Sequence, residues 1–95
     1  MIKIKYTTTS LTITGHAGYE NPGKDIVCAG VSAIILGAIK WFKPQDIELT
    51  QTKNKLIVKL NNTKPENMMK LDLIVTQLKP IAKKYKKYIK ISKGR

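Results

Sequence analysis

The chain carries a single cysteine and a single histidine, Cys28 and His16, twelve positions apart. A cysteine attacks carbonyl carbon as its thiolate, and a free thiol is only a few per cent ionised near neutrality. Two neighbours favour the thiolate: an imidazole, and the free amides and positive dipole end of a helix N-terminus. Both are on offer. Asp25 reads as the N-cap of a helix running to about Phe42, which makes Cys28 the third helical residue. His16 falls in a stretch without periodicity, Gly15 to Lys24, where Gly15, Gly18, Pro22 and Gly23 supply turn chemistry. From such a loop an imidazole can fold back over the helix start. The plain alternatives stand beside this one: a lone cysteine in an apolar helix is often inert packing, and a lone histidine is often a surface or capped side chain. One cysteine makes no intramolecular disulfide, and one cysteine with one histidine is too few soft ligands for structural zinc, so no metal or cofactor is expected.

These residues need a scaffold, and the hydrophobic pattern supplies one. Ile2, Ile4 and Tyr6 alternate with lysines, and Leu11 and Ile13 alternate with threonines, giving two short antiparallel strands. The helix after Asp25 has almost no polar face, with Ile26, Val27, Val31, Ile34, Ile35, Leu36, Ile39 and Phe42 all apolar. It must therefore be buried nearly all round, by the sheet and by a second subunit, and a homodimer is expected. Residues Ile47 to Thr52 and Lys55 to Leu60 form a second hairpin turning at Lys53 and Asn54. Pro65 and Glu66 open an amphipathic helix whose Leu71, Ile74, Val75, Leu78, Ile81, Ala82 and Tyr85 keep helical spacing. Pro80 inside it is expected to kink or split the helix near Thr76. Tyr88 to Ile91 closes the chain as a fifth strand. The result is a single α+β domain over residues 1–95, a two-layer sandwich of a mixed five-stranded sheet and two helices in the order ββαββαβ.

Eighteen basic residues against six acidic give a net charge of +12, which raises the question of an anionic partner. All but one of the basic residues are lysine, the exception being Arg95, whereas phosphate recognition favours arginine's planar fork. After Asp72 no acidic residue follows, and lysines crowd the C-terminal end. Two readings remain: a solvated helix face, or an RNA-binding surface on a non-enzymatic module. With no signal peptide and no long apolar run, a cytoplasmic protein without a membrane segment is expected.

Residues 15 to 32 narrow the choice. Gly-His-Ala-Gly-Tyr, followed by Gly-Lys-Asp-Ile-Val-Cys-Ala-Gly-Val-Ser, closely resembles the paired signature of the ribosomal-processing cysteine proteases. Chain length and element order are similar throughout. Gly30, where a small alanine is usual, and the Asn21-Pro22 pair depart from the pattern without touching the two reactive positions. The resemblance implies a catalytic dyad of His16 and Cys28, and it matches Asp25 and Ser32 to the family's aspartate and serine. It implies a homodimer that removes a short N-terminal extension from a large-subunit ribosomal protein precursor, cutting beside an aromatic residue. RNA contact is compatible with that role but not required by it. Asp25 keeps two readings, a helix cap or a carboxylate orienting His16. Ser32, one turn beyond Cys28, either bonds backbone or faces the site. Gly15 is expected to permit the turn that aims His16. Tyr19 is read either as a loop anchor or as a substrate contact.

Overall fold

A computed structural model describes residues 1–21 and 24–94, so the turn expected of Pro22 and Gly23, and Arg95, lie outside the described residues. Strands β1 (Ile2–Tyr6) and β2 (Ser10–Thr14) pair antiparallel with Ile4 opposite Ile13. Strands β3 (Ile47–Gln51) and β4 (Lys55–Leu60) form the second hairpin, and β2 pairs with β4 so that Leu11 meets Val58. β5 (Ile89–Lys93) joins β1 in parallel, giving the sheet order β3-β4-β2-β1-β5. The alternation read from sequence is the alternation of faces. Ile2, Ile4, Leu11, Val58, Leu60 and Ile89 are buried, while Lys3, Lys5, Lys59 and Lys90 face solvent.

Helix α1 (Ile26–Ile39) connects β2 to β3, and α2 (Pro65–Lys84) connects β4 to β5. The two connections run toward opposite edges of the sheet from strands of opposite direction. The right-handed preference of such crossovers therefore sends both helices to one face. They meet at Gly30, where an added Cβ would lie 3.4 Å from Ile81 Cδ1, an ordinary van der Waals contact. Gly30→Ala is thus expected to stabilise the fold by about 0.5–1 kcal/mol through helix propensity alone, read as a raised urea midpoint.

One expectation about the helices is corrected. α2 continues through Pro80 to Lys84 instead of splitting near Thr76. Pro80 is on the exposed side, where water can satisfy the carbonyl it leaves without an amide partner. Buried Leu71, Ile74, Val75 and Leu78 before it, with Ile81 and Ala82 packed on the core after it, hold the axis. α1 is covered by its own chain on one side, and its other apolar residues are left for the expected second subunit. Val27, Val31, Ile35 and Ala38 are buried, whereas Ile26 and Leu36 are 56% and 55% exposed. A short 3-10 turn at Pro44–Asp46, absent from the sequence reading, leads into β3. Its Asp46 is buried and tied to the start of α2: Asn62 Nδ2 donates to Asp46 at 3.0 Å, and Asn67 Nδ2 donates to Asn62 Oδ1 at 3.0 Å.

Candidate active site

Asp25 begins α1 as a cap in extended conformation, its Oδ1 accepting from the amides of Val27 and Cys28 at 3.0 Å each. The other carboxylate oxygen accepts from the Tyr19 amide at 3.1 Å, which pulls the loop from Gly15 back over the helix start. Cys28 is the third helical residue, half-buried, and its Sγ accepts from the Ala17 amide at 3.3 Å. The same loop is anchored farther along by Tyr19, whose ring meets Tyr85 and Tyr88 edge-on at 5.5 and 5.1 Å. Tyr19 thus packs on the end of α2 and the entry to β5.

The position of His16 is set by its neighbour. Gly15 has φ +82, and its amide donates to the Asn54 carbonyl at 3.0 Å across to the β3–β4 turn. A Cβ on Gly15 would run into the Met1 carbonyl, so both the left-handed backbone and the close approach require glycine. The His16 ring is exposed and its Nε2 is bonded to Asn54 Oδ1 at 2.8 Å. Among the described residues no hydrogen bond joins His16 to Cys28 Sγ or to Asp25. Asp25 is occupied as a cap, and the contact its second reading would need goes instead to Asn54.

His16 and Cys28 nevertheless line one cleft of about 230 Å³. Its floor is apolar, with Ile2, Ile13, Val31 and Ile35, and the hairpin turn from Gln51 to Leu56 forms one wall. A second depression, bordered by Gly18, Glu20, Asp25 and Ala29, opens on the other side of the same two residues. Ser32 is exposed and borders both, which places it on the site surface one turn beyond Cys28. An extended peptide crossing Cys28 would thus lay side chains into a depression on each side of the sulfur.

The cap has a measurable charge signature. The Cys28 amide foremost, with those of Tyr19 and Glu20 and the Cys28 side chain, holds the Asp25 carboxyl below its ordinary range, against a smaller opposing effect of desolvation. Asp46 is lowered as well, by Asn67 first and then by Lys64, whose ammonium is 3.8 Å away, and by Asn62 and Lys43. In both cases the folded carboxyl binds its proton less readily than the unfolded one. The stability they contribute is present above the ordinary carboxylate range and is lost as pH falls through their lowered values. The urea midpoint is therefore expected to drop as pH falls from about 5 to about 2, and Asp25→Asn or Asp46→Asn should each flatten that drop.

Asn54 is the site residue that the sequence does not announce. Asparagine in a hairpin turn is explained by turn chemistry alone, and nothing local ties it to a histidine 38 positions away.

A thiol at a helix start and an imidazole lining the same cleft, on a sheet covered by helices on one face, are the apparatus of a cysteine protease. The match to known proteins is specific: the family of the cysteine protease Prp matches residues 1–90, and the chain belongs to it. The ribosomal processing cysteine protease Prp of Mycoplasma genitalium is 40% identical over 94 residues, covering 97% of this chain and 95% of the relative. That of Mycoplasma pneumoniae is 36% identical over 91 residues, covering 94% and 91%. A crystal structure of the essential ribosomal processing protease Prp from S. aureus, with a covalently linked product peptide, shares the fold at a TM-score of 0.90. It is 24% identical, and the alignment covers 99% of this chain and 100% of that one.

Proposed function

We propose that this chain removes a short N-terminal extension from a large-subunit ribosomal protein precursor, with Cys28 as nucleophile and His16 as its base. The observation that carries the assignment is that His16 and Cys28, the only residues of their kinds, border one cleft. The relatives' designation as ribosomal processing proteases supports the substrate class, and the peptide bound to the S. aureus protein supports peptide as the ligand. In this reading Cys28 Sγ attacks the scissile carbonyl and forms a thioester as the C–N bond breaks. His16 takes the thiol proton and passes it to the leaving amine, and water then hydrolyses the thioester.

The geometry modifies one detail of this chemistry. The amides of Val27 and Cys28 are engaged by the Asp25 side chain and that of Ala29 by the Asp25 carbonyl, so these three amides are not free to hold an oxyanion. The Ala17 amide, aimed at the sulfur, is the donor best placed for that charge. The α1 dipole is likewise shared with its capping carboxylate, which leaves the imidazole the larger part in activating the sulfur. The apolar floor of the cleft suits the aromatic residue that the resemblance sets beside the cut.

The outward apolar residues of α1 and α2, Ile26, Leu36, Met69 and Leu73, support a homodimer. A monomer by light scattering at high concentration would contradict the dimer. The second reading, an RNA-binding module, draws on a groove beside β5 bordered by Lys79, Lys83, Lys86, Lys90 and Lys93. One experiment separates the two. The organism's own precursor is incubated with the protein and read by mass spectrometry, and a single N-terminal cut is expected. Neutralising Lys83, Lys84, Lys86 and Lys87 should leave cleavage of a short peptide nearly intact, because exposed charges steer at most and are screened by salt. Salt-sensitive RNA binding without any cut would favour the module.

A further inference from the structure

We propose that Asn54, at the turn of the β3–β4 hairpin, is a positioning residue for His16, accepting from Nε2–H and so presenting Nδ1 to Cys28. The inference rests on the dyad reading and deepens it. His16 belongs to an exposed loop without regular structure, where an imidazole held by water alone would sample many orientations. Two bonds from one residue oppose this. The Asn54 main-chain carbonyl accepts from the Gly15 amide at 3.0 Å, and the Asn54 side chain bonds the His16 ring at 2.8 Å. Backbone and ring of adjacent loop residues are thus both referred to the same hairpin tip.

That tip is itself fixed. The Thr52 amide donates to the Lys55 carbonyl at 2.8 Å, and β4 is paired on both sides, with β3 and with β2. The tip also lines the cleft that Cys28 borders, so the hairpin holds the imidazole in the same cleft as the sulfur. The neutral amide suits the task. Its carbonyl selects the tautomer with the proton on Nε2 and leaves Nδ1 able to take a proton, without the full charge that a carboxylate would add. Asp25, the carboxylate the sequence offers for that role, is spent on the helix cap.

The chain's single histidine makes the test direct, because its ring signals need no assignment among others. Wild-type protein is expected to show a Nε2-bound proton protected from solvent exchange by NMR, and Asn54→Ala to lose it. On the precursor's N-terminal peptide, Asn54→Ala should lower kcat between about tenfold and a hundredfold with KM within about twofold, since misplacement of a catalytic group costs rate more than binding. Asn54→Asp keeps the acceptor and should recover most of kcat, with its rate profile moved to higher pH because a carboxylate there favours the imidazolium. The Gly15 amide bonds main chain, so it persists in both variants, and matched thermal melts confirm the fold. Unchanged kcat in Asn54→Ala beside an inactive His16→Ala would overturn the positioning role alone. Full cleavage by His16→Ala would overturn the dyad and the positioning role together, and loss of kcat in Asn54→Ala without change in the ring signal would also overturn the positioning role.

Discussion

Cys28→Ser is expected to lower peptide cleavage by about a thousandfold or more while the fold persists. A serine hydroxyl is far less acidic than a thiol, and one imidazole without a strong charged third partner activates it poorly. The carboxylate that might have served as that partner, Asp25, is committed to the amides of Val27, Cys28 and Tyr19. The substitution exchanges sulfur for oxygen at nearly the same volume in a half-buried position, so stability should change by no more than about 1 kcal/mol. Cleavage assayed by mass spectrometry beside a urea titration reads both quantities. A variant that cleaves at the wild-type rate would remove Cys28 from the chemistry.

Gly15→Ala is expected to lose both stability and activity. The alanine would be held at φ +82, and its methyl would collide with the Met1 carbonyl at the start of β1. Relieving the collision moves either the first strand or the loop, and the loop carries His16 as its next residue. Left-handed strain with a backbone clash predicts a destabilisation of about 2–4 kcal/mol. The control is Gly18→Ala, which has φ +67 but no atom within 4 Å of the added methyl. Only the conformational cost remains there, about 1 kcal/mol, and His16 should stay in place. Equal losses of urea midpoint and of kcat/KM in the two variants would show that the approach to Met1 is unimportant.

The contrast between these glycines marks where sequence reading stops. The need for a turn at Gly15 follows from its place after β2, but its contact with Met1 depends on how β1 pairs with β2. Strands and the Asp25 cap are legible because they rest on local rules, alternation for the strands and a carboxylate before an apolar helix for the cap. They deliver Cys28 to the first turn of α1 as expected. Pro80 misleads because its local rule is overridden by tertiary packing: the core contacts of Leu78 and Ile81 on either side are invisible to a propensity argument. The nearly all-apolar face of α1 is legible, whereas which residues the sheet and α2 leave uncovered is a matter of crossing geometry. Asn54 is the extreme case, since its link to His16 exists only once the second hairpin has folded beside the first.

The cooperation of Cys28 with His16 is read by alkylation. Iodoacetamide at about pH 6 is expected to modify wild-type Cys28 well faster than glutathione under the same conditions, and His16→Ala should bring that rate down toward the glutathione value. With a single cysteine in the chain, intact mass reports the reaction at one site. A wild-type rate no greater than that of glutathione, unchanged by His16→Ala, would contradict an activated pair.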